Sequence, residues 1–266
     1  MTHNRRVLLL LVVVPVLALL AAAQSKKPAR AGANSTTDCA YTFSSGSGAN
    51  ATQYCVTANG NIAQFSRPAG VEYINNGFIS EGYGVCDYYA GTSYWDYAGD
   101  GDNGWGTANV ISSTPTSVKI SRTTTDGTFT LTQTITRVAA SKKGPGAATV
   151  TMVLRNNSGN GTLVYLLRYA NVDMTPDPTQ NHFDYTLDTA SGLNPSAYGL
   201  ASVNNTFTYG WDSGVLGTPH GPSPCDYSAT VPVTPFVGDG SIMQVWSDQN
   251  LHTGKSMTVT MTYKPI

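Results

Sequence analysis

The chain has 266 residues, and only 12% of them are charged, against about 25% in an ordinary soluble protein. Its 15 basic and 16 acidic residues leave a net charge of −1. So weak a field excludes electrostatic capture of nucleic acid or of an anionic membrane surface as a working principle. Thr, Ser, Asn, Gly and Tyr carry the polarity instead.

At the start of the chain, Arg5 and Arg6 precede an apolar run at 7–20 and the small residues Ala21, Ala22 and Ala23. This is the build of an export signal, with cleavage expected before Gln24 and a secreted, extracytoplasmic destination. An uncleaved anchor is the alternative, disfavoured because the run is short for a bilayer and ends in a processing site. No stable membrane insertion is expected after cleavage. Loss of residues 1–23 removes two arginines and leaves 13 basic against 16 acidic residues, a net charge of −3. Residues 24–37 (QSKKPARAGANSTT) lack apolar periodicity and read as a flexible leader. Residues 38–266 show no further break in composition and read as one β-sandwich domain.

Four cysteines follow the signal: Cys39, Cys55, Cys86 and Cys225. An even number in an exported chain predicts two disulfides. Cys39 with Cys55 closes a short Gly/Ser-rich loop, which leaves Cys86 with Cys225. A zinc site would need closely spaced Cys or Cys/His pairs, and the spacing offers none.

The segment 81–105 concentrates aromatic and acidic residues. Tyr83, Tyr88, Tyr89, Tyr94, Trp95, Tyr97 and Trp105 crowd there with Glu81, Asp87, Asp96, Asp100 and Asp102. Rings of this kind stack on sugar faces while carboxylates accept hydroxyl hydrogen bonds, so Trp95, Trp105, Tyr94, Tyr97 and Glu81 are candidate ligand-binding residues. The competing reading is a tyrosine- and tryptophan-rich core pinned by Cys86, with at least half of the rings buried. Tyr209 and Trp211 are expected near this segment if Cys86 bonds Cys225, which adds Trp211 to the candidates. Within DYAGDGDNGW (96–105), Asp96, Asp100 and Asp102 are the candidate ligands of a weak calcium site; no other cofactor is expected. An EF-hand is excluded, because counting from Asp100 puts Gly104 at position five and Ile111 at position twelve. The favoured reading is an Asx/Gly turn.

Further on, period-two alternation marks strands. Phe129, Leu131 and Ile135 alternate with threonines in FTLTQTITRV, and Met257, Val259, Met261 and Tyr263 do so in SMTVTMTY. ATVTMVL repeats the pattern through Val150, Met152 and Leu154. Turn formers separate such runs: DG at 126–127, KKGPG at 142–146, NNSGNG at 156–161 and GDG at 238–240. The last three predict hairpins with longer loops. The stretch 162–174 (TLVYLLRYANVDM) is apolar on both faces, the mark of a central, doubly covered strand. Arg168 shares a face with Val164, Leu166 and Val172. It either meets an aspartate or a carbonyl in the core, or reaches water near an opening.

Motifs of chemistry are sparse. No G-x-S-x-G elbow, P-loop, H-E-x-x-H or dinucleotide fingerprint occurs. Glu81 and Asp87 lie six residues apart, roughly 20 Å along a strand, too far for a glycosidase pair, which needs about 5–9.5 Å. Glu81 with Asp100 is the pair left open. His182 and Asp184 share one side of a strand but make only two metal ligands, and His220 and His252 fall in loops. Asn34, Asn50, Asn156, Asn160 and Asn204 begin Asn-x-Ser/Thr triplets.

With no run of helical spacing, the expected fold is all-β: a large antiparallel β-sandwich of two packed sheets, disulfide-bonded. Its general appearance resembles carbohydrate-handling β-sandwiches, including the larger mutarotase-like supersandwiches, although no motif carries any residue over from them. The expected role is a non-catalytic binding or surface-interaction module for a glycan or cell-surface polymer. The alternatives are a carbohydrate-active enzyme of hydrolase, lyase or epimerase type, with Glu81 and an aspartate as acid and base, and a structural envelope protein.

Overall fold

A computed structural model describes residues 37–74, 80–142, 144–174, 177–196, 198–218, 220–227 and 235–266. The predicted signal, nearly all of the leader and Asn34 lie outside them. The described residues form 18 strands, numbered in chain order, and short 3-10 turns at Gly48–Asn50 and Pro178–Gln180, with no α-helix. No helix among them is long and apolar enough to cross a membrane.

Three antiparallel sheets result. The smallest holds β1 (Tyr41–Ser45), β2 (Thr52–Val56) and β3 (Ile62–Ser66). A six-stranded sheet runs β15 (Gly210–Leu216), β17 (Gly240–Leu251), β11 (Thr162–Val172), β4 (Glu81–Asp87), β5 (Thr92–Tyr97), β6 (Gly101–Asn103). The nine-stranded sheet begins β16 (Phe236–Val237), β12 (His182–Tyr185), β13 (Thr189–Leu193), β14 (Gly199–Asn204), β18 (Ser256–Pro265). It continues β10 (Ala147–Asn156), β9 (Phe129–Val138), β8 (Ser117–Thr123), β7 (Asn109–Thr114).

The alternation read from the sequence decides which side of each strand is buried. On β9, Phe129, Leu131, Gln133 and Ile135 face inward, and the threonines between them face solvent. Where threonines of adjacent strands meet, their hydroxyls pair, as Thr149 with Thr262 at 3.2 Å and Thr151 with Thr260 at 3.0 Å. The inner faces of the two large sheets close on one core that includes Val85, Leu166, Trp246, Val150, Met152 and Val259. The small sheet joins it through a run of rings: Phe43, Tyr54, Phe65 and Tyr73 follow one another at 5.2, 5.7 and 6.3 Å between centroids. As predicted, β11 is central and buried along almost all its length.

The turn signals met mixed outcomes. DG at 126–127 closes the β8–β9 hairpin, and KKGPG lies between the paired strands β9 and β10. NNSGNG and GDG do not make hairpins. β10 belongs to the nine-stranded sheet and β11 to the six-stranded one, and the same holds for β16 and β17. Both loops are therefore crossovers between sheets, because strands as apolar as β11 and β17 must go to the middle of a covered sheet rather than pair with their half-wet predecessors. Asn156 and Asn204, each opening an Asn-x-Ser/Thr triplet, are buried and spend their side chains on backbone carbonyls of Leu251 and Thr206.

Candidate functional site

The segment 81–105 folds as β4, β5, β6 and the turns between them. Its alternation separates two sets of side chains. Glu81, Tyr83 and Val85 of β4, with Tyr94 and Asp96 of β5, point between the sheets. Gly82, Gly84, Trp95 and Tyr97 point to the outer face.

On the inner side, Glu81 is 0% exposed. It accepts Arg168 Nε at 2.6 Å and Nη2 at 2.9 Å, and also the Tyr263 hydroxyl and the Ile62 N–H. Arg168 spends its remaining donors on Gln133 Oε1 at 2.6 Å and the Gly60 carbonyl at 3.1 Å. Arg168 is thus a core arginine with a carboxylate and a carbonyl partner, and it does not reach water. Burial pushes the Glu81 carboxyl up, against the pull of Arg168. The expectation of Glu81 as a ligand-binding or acid/base residue meets a physical obstacle, since every direction around its carboxylate is taken by a protein donor.

A second cluster lies beside the first. Arg122 of β8 reaches across the gap to Asp96 through Nη1 and to Asp102 through Nη2 at 2.6 Å. It also donates to the Tyr83 hydroxyl and the Gly106 carbonyl. The turn 57–61 joins the clusters: Asn59 and Asn61 donate to Asp96 at 2.8 and 2.9 Å, and the Asn59 carbonyl accepts from Tyr83 and Gln133. One guanidinium facing two carboxylates leaves the cluster short of positive charge. Burial first, and then Asp102, push the Asp96 carboxyl up to about 7 despite Arg122. A carboxyl raised on folding adds stability below its unfolded pKa, about 3.8, and loses it as pH climbs through 7. Stability should therefore fall between about pH 4 and pH 7 in denaturant titrations, and Asp96→Asn should flatten that slope. An unchanged slope in the variant would reject this origin.

The calcium expectation for Asp96, Asp100 and Asp102 dissolves in this geometry. Asp96 and Asp102 face Arg122, while Asp100 accepts from the Gly221 N–H and contacts His220 Nδ1, both at 3.1 Å. Glu81 and Asp100 are no pair either, since one faces the core and the other the outer segment 220–227. No group of three or more His, Cys, Asp or Glu side chains among the described residues is placed to hold a metal. His182 and Asp184 do share the exposed side of β12, without a third ligand.

The predicted aromatic residues are mostly closed off. Trp105 and Tyr94 pack edge-to-face at 6.3 Å inside the core, with Tyr83 and Phe129 around them. Trp95 and Tyr97 stack at 5.5 Å on the outer face and form a second apolar cluster with Leu167, Tyr169, Leu216, Met243 and Val245. The segment 220–227 covers part of that cluster like a strap. Tyr97 donates to the Pro222 carbonyl at 2.9 Å, and Pro224 sits over Gly84 so closely that a Cβ there would stand 2.4 Å from its ring. Gly221 lies flat on Tyr97 for the same reason. Both predicted disulfides form, and Cys86–Cys225 fastens the strap. Trp211 does not come near Trp95 and Trp105. It sits on edge strand β15, four strands from β5, where its indole donates to Asp188 at 3.0 Å. The bridge draws in the strap, not the strand before it.

What remains open is a strip of tyrosines on the outer face. Tyr89 and Tyr88, 71% and 52% exposed, occupy the β4–β5 turn. Tyr88 meets Tyr165 of β11 at 5.9 Å, and Tyr165 meets Tyr227 at the end of the strap at 5.3 Å. The strip ends at a depression of about 240 Å3 lined by Gly210, Trp211, Asp212, Tyr227, Val245 and Ser247. Gly210, Ser247 and Tyr165 form one cross-strand row, and exposed Asp212 follows one step along β15. Tyr88 and Tyr89 belong to the aromatic crowd seen in the sequence. Tyr165 and Tyr227 were missed because only pairing of β11 with β4, and the bridge at Cys225, bring them alongside.

No family model and no curated protein sequence matches the chain. Solved structures do. A candidate aldose 1-epimerase from Escherichia coli K12 is similar with a TM-score of 0.50 and 11% identity, over 85% of this chain and 99% of that one. A bacterial glucoamylase solved with acarbose is similar with a TM-score of 0.55 and 10% identity, over 86% of this chain. The chain spans about a third (32%) of the glucoamylase. At such identities the likeness establishes the fold, a mutarotase-like β-sandwich, in line with the antiparallel β-sandwich expected from the strand pattern.

Proposed function

We propose that this chain is an extracytoplasmic, non-catalytic glycan-binding module whose contact surface is the strip Tyr89, Tyr88, Tyr165 and Tyr227 with the Asp212 depression. The exposure of Tyr88 and Tyr89 carries the reading: two large rings held in water beside two more, when most of the other aromatics of their segment are buried. Rings with polar edges suit the mixed faces of sugars, and Asp212 and Ser247 supply acceptors and a donor next to them. Both similar structures, a candidate aldose 1-epimerase and a glucoamylase, bear names that concern sugars. The two disulfides fit an oxidising compartment.

Retention on polysaccharide resins and glycan arrays tests the reading. Tyr88→Ala with Tyr89→Ala should reduce retention at least tenfold while shifting stability by no more than about 0.5 kcal/mol, the usual range for exposed sites. Unchanged retention in that variant would sink the assignment of the surface. Turnover of a glycan that Glu81→Gln abolishes in a folded protein would overturn the non-catalytic role.

A further inference from the structure

We infer that the glycan suited to the tyrosine strip is cationic, an amino-sugar polymer carrying free ammonium groups. This rests on the glycan-binding reading and specifies its ligand class. The first observation is the distribution of charge. Neither 68–118 nor 205–254 contains a lysine or arginine, and these stretches supply every strand of the six-stranded sheet except β11. β11 contributes Arg168, which points inward to Glu81. Of the lysines and arginines on the nine-stranded sheet, Lys119, Arg155 and Lys264 stand on its far side, alternating with buried residues on β8, β10 and β18, while Arg122 is buried against Asp96 and Asp102 and Arg137 donates to the Ser44 carbonyl. The outer face bearing the strip therefore offers carboxylates without competing Lys or Arg. Asp212 and Asp226 are exposed beside Tyr227, and Asp212 lies close enough to raise the Tyr227 hydroxyl, after burial and Tyr165. The histidines on this sheet's margins are His220, turned to Asp100, and His252, at the end of β17.

The second observation is the arrangement of the rings. Tyr89–Tyr88, Tyr88–Tyr165 and Tyr165–Tyr227 are each steeply inclined, at 70°, 78° and 60°. A cation is drawn to the electron-rich face of an aromatic ring, and each tyrosine of the strip carries such a face. A neutral sugar would stack on the rings and hydrogen-bond Asp212 and Ser247 but leave the negative charge of this surface unanswered. A uronic-acid polymer would be repelled by Asp212 and Asp226. A chain with an ammonium on each sugar meets ring faces along the strip and a carboxylate at its end, so charge and shape select the same ligand.

Calorimetric titration of the whole protein with glucosamine oligomers and with N-acetylglucosamine oligomers of equal length separates the possibilities. At 20 mM salt the free-amine oligomers should bind at least tenfold more tightly. Salt at 300 mM should remove most of that advantage while leaving binding of the acetylated oligomers unchanged, and Asp212→Asn should narrow the ratio of the two affinities. Equal affinity for both oligomers, or preference for an oligouronate, would overturn the inference while leaving the glycan reading intact. Polylysine binding as tightly as the amino-sugar oligomer would overturn it too, by showing charge alone to suffice. Failure of every neutral, amino and acidic glycan would instead bring down the glycan-binding reading beneath it.

Discussion

Replacing Arg168 by leucine should lower the free energy of unfolding by about 3–5 kcal/mol, the range seen when one partner of a buried ion pair is removed and the other left behind. The reason is local and complete. Glu81 is fully enclosed, and two of its four donors belong to Arg168. Without them the carboxyl must take up a proton or stay charged in a medium that penalises charge, and Gln133 and the Gly60 carbonyl lose their donor as well. Lysine at this position should rescue little, since a single ammonium cannot make the bidentate contact. The double variant Glu81→Leu/Arg168→Leu should be more stable than Arg168→Leu alone, because removing both charges removes the desolvation cost together with the attraction. Urea titrations followed by tryptophan fluorescence would measure all three. A loss under about 1 kcal/mol for Arg168→Leu would mean that water reaches Glu81.

The second large effect concerns the Cys86–Cys225 bond. Its removal by paired alanine substitutions should cost about 5 kcal/mol on the chain-entropy account, against roughly 3 kcal/mol for Cys39–Cys55. The difference follows from sequence separations of 139 and 16 residues. The long bridge has a further consequence that the short one lacks. The strap it anchors covers Trp95 and Tyr97, so its release should shift tryptophan emission to longer wavelength before global unfolding. Equal losses for the two bridges would contradict the loop-length argument. An unshifted emission in the Cys86→Ala/Cys225→Ala variant would show that the Tyr97–Pro222 hydrogen bond and the Pro224 contact hold the strap unaided.

The candidate site was only half legible. Tyr88 and Tyr89 stand in the ring-rich sequence, just before Gly91 with its positive φ in the β4–β5 turn, but residue type does not single them out as ligand-binding. The expectation that five rings meet ligand, Trp95, Trp105, Tyr94, Tyr97 and Trp211, rests on residue type, and residue type does not tell a buried ring from an open one. Strand parity would have sent Tyr94 and Trp95 to opposite faces. It could not show that both faces of β5 are covered, one by the nine-stranded sheet and the other by a strap from more than a hundred residues away. The same limit applies to Asp96 and Asp102. Their spacing suits a shared cation, and a shared cation is what they hold, but it is the guanidinium of Arg122.

By itself, the sequence determined what depends on neighbours along the chain: period-two burial on β9, β10 and β18, the doubly buried β11, the turn at 126–127, and two disulfides, with Cys39–Cys55 favoured by short-loop closure among three possible pairings. These follow from local backbone geometry and from apolar side chains leaving water. Tertiary structure alone decided the partner of every buried charge, the sheet to which each half of a crossover goes, and which tyrosines stay in solvent. Those outcomes depend on strands brought together from distant parts of the chain, where burial and the satisfaction of each polar group are settled jointly. The open strip is where that joint packing ran out of cover, at Tyr89, Tyr88, Tyr165 and Tyr227.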